Sequence, residues 1–138
     1  MPIPKEVMDV YNDPAAIKVL ATRSGEDLHV IPLGSMRVVD PNTIVCATIF
    51  MHEAHENLRK AAENNERVST LAVKLAPGGQ SQAYQVRCRV KASMTSGPLF
   101  DSFKENIKQR GMDVRAVWVL EPLEVLVQIG PNAGQKIA

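Results

Sequence analysis

Seven or eight short β-prone runs, mostly joined by tight turns and interrupted by only three helical stretches, constrain the fold of this chain more than any other feature. Ile17 to Thr22 stops at Ser24-Gly25-Glu26-Asp27, a strong turn signal, and Leu28 to Leu33 reads as the return strand of a hairpin. Pro32 lacks an N–H to give to a ladder, so it marks an edge or a bulge on that strand. Ser35 to Val39 follows Gly34, and Asp40-Pro41-Asn42 then turns the chain into Thr43–Phe50. That run is almost continuously apolar and is expected to be buried on both faces. Arg67 to Leu75 is a further strand, Ala76 to Gln80 a loop, and Tyr84 to Lys91 alternates strictly between apolar and polar. Val114–Leu120 and Leu123–Ile129 read as two last strands broken at Glu121-Pro122, ahead of a loop tail over 130–138.

Three segments change period. A short helix is expected over 4–12, with Pro4 at its first position and Val7, Val10 and Tyr11 on one face. Met51 to Glu66 gives a second, on which Ala54, Leu58, Ala61 and Ala62 make a modest apolar face. Gly97-Pro98 opens a third, carrying Phe100, Phe103 and Ile107 and ending near Gly111. No regular βαβ alternation results. Consecutive strands joined by tight turns predict a mainly β fold, an antiparallel sheet curling into a barrel with peripheral helices, in one domain over 1–138.

Composition narrows the function classes. The chain has 138 residues, 45% hydrophobic, 22% charged and 4% aromatic, enough to bury a core without disulfides or a structural metal. Sixteen basic against fifteen acidic residues leave a net charge of +1, so no overall field steers the chain to nucleic acid or anionic lipid. Six aromatics give no stacking platform for single-stranded nucleic acid. No run approaches the roughly 20 apolar residues of a membrane span, and MPIPKEVMDVY has no secretory pattern. Cys46 and Cys88 form no CxxC and read as reduced core thiols, so a cytoplasmic protein is expected.

No nucleophile elbow, P-loop or GxGxxG occurs, and no side chain stands out as a catalytic acid, base or nucleophile. His52 and His55 are three apart and interleaved with Glu53 and Glu56, which is not the HExxH of metalloproteases. A metal would want further ligands and an orienting outer shell, so these residues read as an exposed helix start. His29 reads as an ordinary strand residue. Arg87, Arg89 and Lys91 place three cations on one strand face, read as a solvated face, with an anion-facing wall as the alternative.

The order of helix, hairpin, GSMRVVDPNTIV, FMHEAHENLRKAAENNERVSTLAV, YQVRCRVKAS and helix resembles the pyridoxamine 5′-phosphate oxidase-like FMN-binding split-barrel family. It is most similar to the small FMN-binding proteins of anaerobic bacteria and archaea. Two stretches carry the likeness: Val38-Val39-Asp40 leading into a buried strand, and Met51-His52 followed by Asn57-Leu58 and Glu66-Arg67-Val68. The resemblance implies a homodimeric antiparallel split β-barrel with FMN in a groove between two subunits. It also implies electron or hydride exchange with an unidentified partner. The positions it points to for the cofactor are Pro32, Leu33, Gly34 and Ser35, then Thr48 and Ile49, then His52, Glu53 and Ala54. Backbone N–H groups at a helix start suit a phosphate there.

The chain departs from that pattern at one place. The family commonly has Lys-Thr at the helix start, where this sequence has Glu53-Ala54. A charge-assisted bond to phosphate is worth roughly 1.5–3 kcal/mol, so losing the pair would weaken FMN by about two decades or more. Ser35, Thr48, His52, His55 and Arg87 stand as replacements for the missing donors. Glu53→Lys with Ala54→Thr is expected to restore tight binding, both side chains being expected at the surface. Cys88 is a second departure, since relatives often carry glycine there. Two further functions therefore stand beside the flavoprotein: a split-barrel dimer that has lost FMN for haem, a deazaflavin or a phosphorylated metabolite, and a cofactor-free interaction protein.

Overall fold

The computed structural model describes residues 2–138. Its elements run α1 (Lys5–Tyr11), β1 (Ile17–Ser24), β2 (Asp27–Pro32), β3 (Arg37–Asp40), β4 (Thr43–Thr48), α2 (His52–Asn64), β5 (Arg67–Lys74), β6 (Gln82–Met94), α3 (Pro98–Lys108) and β7 (Ala116–Val127). Seven strands make one antiparallel sheet in the order β2-β1-β5-β6-β7-β4-β3, the expected mainly β split barrel with helices outside.

Local chemistry explains the turns. Ser24 pairs with Asp27, so the β1–β2 loop has two residues, and Gly25 takes φ +62, a conformation costly to any side chain. Pro32 ends β2, and β2 is an edge strand, where the missing donor costs nothing. The expected break at Glu121-Pro122 does not occur: β7 runs unbroken from Ala116 to Val127. Pro122 is paired with Cys88 where the β6–β7 register shifts between Arg87 and Cys88, and this irregularity takes up the missing N–H. The tail over 130–138 is no free loop either. Lys136 bridges Leu126, the Val125 N–H bonds the Ala138 carbonyl at 2.8 Å, and Ala138 is buried. Backbone pairing with β7 holds a segment that has little apolar content of its own.

Alternation sets what is inside. Leu20, Thr22, Val68, Thr70, Ala72, Val86, Cys88, Cys46, Trp118 and Leu120 point to the barrel interior, which α1 and α2 close. Val45, Ala47, Val117 and Val119 face the other way and are covered by Phe100, Phe103 and Ile107 of α3. β4 is therefore buried on both faces, as its unbroken apolar run predicts. Tyr11 locks α1 in place: its hydroxyl bonds the Thr70 hydroxyl at 2.8 Å, and Thr70 donates onward to the Val86 carbonyl at 3.0 Å. Burial pushes that phenol far above its usual range. Asn12 clasps Val38 both ways, donating to its carbonyl and accepting from its N–H, at 2.9 and 2.8 Å.

Among the described residues, no element covers the opposite face of β1, β2 and β5. Ile17, Val19, Ala21, Leu28, Val30, Leu71 and Val73 form an apolar sheet surface, with Leu28 79% and Val30 63% exposed. Arg67, Arg87 and Glu124 border it, and Glu124 pairs with both arginines. The arginine pair holds the Glu124 carboxyl below the ordinary carboxylate range. The basic stripe thus reads correctly as a solvated face at Arg87, which has its own counter-ion.

Candidate functional site

α2 begins where β4 ends, and its first turn lies against the barrel mouth formed by β1, β2, β5 and β6. Ala54, Asn57, Leu58 and Ala61 are its buried face; Asn57 replaces the expected Ala62, which is exposed. The helix stops at Asn65, whose φ of +53 is the left-handed end that Asn tolerates. Asn57 donates to the Thr22 hydroxyl at 3.1 Å, inside the barrel. Opposite Thr22 in the ladder is His29, whose Nε2 lies 2.8 Å from the Glu53 carboxylate. His29 therefore pins the edge strand to the first turn of α2, a tertiary role that an ordinary strand residue would not have, while its Nδ1 is buried with no hydrogen-bond partner.

The second group of contacts centres on Thr48. Its hydroxyl accepts from the Trp118 indole N–H at 3.2 Å and lies 3.0 Å from His55 Nδ1. The hydroxyl also lies 3.5 Å from the Ala116 carbonyl, so the imidazole tautomer sets which of Thr48 and His55 donates. The His55 ring stands edge-on to Trp118, 5.3 Å between centroids and 76° between planes. Burial, then the nearby Arg115 charge, holds the His55 imidazolium below its ordinary range. Arg115 itself is tied to the end of β4 by its N–H to the Thr48 carbonyl, 2.8 Å, and its guanidinium donates to His52 Nδ1 at 3.1 Å.

The positions named from sequence separate on this framework. Ser35 is consumed in structure, donating to the Ala47 carbonyl and accepting from the Ala47 N–H, at 3.1 and 3.0 Å. Thr48 is fully buried and committed to Trp118 and His55, and Leu33 is a core residue. Pro32, Gly34, His52 and Glu53 lie at the surface, with Ile49 half-buried between the β4 end and the α3 cluster. Ala54 overturns an expectation: it is wholly buried against the barrel, not exposed. The phase of α2 turns position 53 outward and position 54 inward, so Ala54→Thr would crowd the core rather than offer a hydroxyl to a ligand. Glu53 does face solvent, but its carboxylate is engaged by His29 Nε2 at 2.8 Å. The residues missed were Arg115 and Trp118. No local motif marks them, and only β4–β7 pairing brings them to α2. Among the described residues no cluster of three metal-ligating side chains occurs, and both cysteines are buried free thiols, with burial pushing Cys46 up to about 12.

Shallow concavities of about 380 and 370 Å³ lie on the bare sheet face, one over Val19, Val30 and Leu71, the other over Leu28, Arg67 and Arg87. Neither is lined by the α2 start. An apolar sheet suits a ring system and the Arg-His cluster with uncapped helix N–H groups suits a phosphate, but that cluster lines neither concavity.

No protein-family model matches the chain, and no curated protein matches it in sequence. Solved structures do. An FMN-binding protein from Syntrophomonas wolfei subsp. wolfei superposes with a TM-score of 0.73 at 13% identity, covering 91% of this chain and 88% of that one. The HupZ protein of Group A Streptococcus gives 0.71 at 20% identity, covering 96% and 99%. A pyridoxamine 5′-phosphate oxidase-like protein of Lactobacillus delbrueckii gives 0.65 at 19%, covering 91% and 93%. The fold is that of the pyridoxamine 5′-phosphate oxidase-like split barrels.

Proposed function

We propose that this protein is a homodimeric, cytoplasmic FMN-binding flavoprotein. The observation that carries this reading is the bare apolar face of β1, β2 and β5. A continuous apolar surface of this kind marks an interaction site. A second copy of the chain covering it closes the shallow concavities into a groove over Val19, Val30 and Leu71. FMN, when bound, supplies hydride or electron transfer; the chain contributes orientation, exclusion of water and the local field. The FMN-binding name of one similar structure supports the choice of ligand, and the buried free thiols suit a reducing compartment. No helix among the described residues is long and apolar enough to cross a membrane.

The test is direct. Purified protein should be yellow, or turn so on addition of FMN, release FMN on denaturation, and sediment as a dimer at micromolar concentration. A colourless protein unchanged by FMN would remove the flavin reading.

A further inference from the structure

We propose that the arginine-bordered end of the bare sheet face binds the carboxylate of an amphipathic organic acid, whose apolar body lies along Leu28 and Ala21. The inference goes beyond the flavin reading and needs no bound flavin. Arg23 of β1, Arg67 of β5, and Arg87 and Arg89 of β6 lie together on the outward face of neighbouring strands. Arg23, Arg67 and Arg87 wall one concavity of about 370 Å³ together with Leu28 and Ala21. That concavity shares Ala21 and Ser69 with the neighbouring one of about 380 Å³, so a charged end opens onto an apolar floor. Volumes of this order are those of small-molecule sites.

The local charge is unbalanced. Glu124 serves two arginines, Arg87 at 2.8 Å and Arg67 at 3.5 Å, and Glu66 reaches Arg23 only at 3.6 Å. Arg89 enters no ion pair among the described residues, although Glu121 is its partner in the β6–β7 ladder. Its Nε is buried with no hydrogen-bond partner. Arg89 also stands directly opposite Arg67 in the β5–β6 ladder, where like charges repel. An anion there removes the repulsion and gives the buried donor an acceptor. A carboxylate suits the place because guanidinium forks bind its two oxygens in parallel. The apolar wall then selects among carboxylates. Leu28 faces Arg23 across the hairpin and is 79% exposed, so an acid with a hydrocarbon body covers Leu28 while its head stays at the arginines. A small inorganic anion gains only the contact of the head, and a neutral apolar molecule only that of the body.

The experiment titrates octanoate into the full chain by calorimetry at constant ionic strength. Acetate, octan-1-ol and octylammonium serve as probes of head alone, body alone and reversed charge. Saturable octanoate binding, about tenfold or more tighter than that of each probe, is expected. The Arg89 Nε–H resonance should move with octanoate and not with octan-1-ol. Arg67→Gln should weaken octanoate about tenfold, with Arg67→Lys intermediate. Glu124→Gln should tighten it, since the ligand no longer competes with that carboxylate for Arg67 and Arg87, a gain that general damage to the fold would not produce. Equal binding of octanoate and octan-1-ol, or unchanged binding in both Arg67→Gln and Glu124→Gln, would overturn the proposal. FMN is titrated in parallel. Octanoate binding without FMN binding leaves the acid site standing and ends the flavin reading; FMN binding without octanoate binding does the reverse.

Discussion

Two regions of one sheet are built from the same kind of residue and meet different fates. β4 and β7 carry Val, Ile, Leu and Ala on both faces, and both are covered, one by the barrel interior and the other by α3. β1, β2 and β5 are equally rich in Val, Ile and Leu, yet their outer face is open, and Leu28, Val30 and Ile17 are more than half exposed. The hydrophobic effect acts alike on both. The difference lies in what the chain itself has available: α3 reaches one side, and no element returns to the other. An apolar face left open at this scale is where the proposed second copy would dock.

The comparison breaks most sharply under matched truncation. Leu120→Ala, in a fully buried position of β7, should cost about 3 kcal/mol in urea unfolding. Leu28→Ala on the bare face should cost below about 0.5 kcal/mol when subunits are kept apart by dilution. Equal losses would mean the face is not bare in solution even in the monomer. Leu71→Asp, which puts a charge in the middle of the open face, should weaken self-association by about two decades while leaving circular dichroism unchanged. A parent protein already monomeric in sedimentation would show that the face is not a self-docking surface.

Smaller effects sharpen the covered side. Trp118→Phe removes one buried donor to Thr48 and should cost about 1 kcal/mol, read from the denaturation midpoint. The smallest is a pH effect. Folding lowers the proton affinity of His55, so the unfolded chain holds that proton more readily. Its share of stability is complete above the ordinary imidazole value of 6.5 and is lost as pH falls through the window below it. His55→Gln should flatten the stability profile there. The carboxylates of Glu56, Glu124 and Asp13, all held below their ordinary values, lose their share in a separate and more acidic window.

Much of the fold was written locally. The Ser24–Asp27 turn, the edge position of Pro32, the unbroken apolar run of β4 and the Phe100, Phe103 and Ile107 stripe each depend on neighbours a few positions away. Their outcome could be read residue by residue. The candidate site was legible only in part. The α2 start and the end of β4 were expected to hold it, but Ser35 and Thr48 are engaged within the protein, Ala54 faces the core, and Arg115 meets His52 there unannounced.

The reason is separation along the chain. By itself the sequence determined the strands, the helices, the turns and the sidedness of each run, because propensity and periodicity act over one or two turns of backbone. Only the tertiary structure decided that Thr48, His55, Arg115 and Trp118 meet, since the Thr48–Ala116 pairing closes a loop spanning about half of the chain. Only it decided that position 54 is buried while 53 reaches His29. A helix's apolar stripe specifies which residues lie together, but the rotation that sends its first turn inward or outward is set by what it packs against.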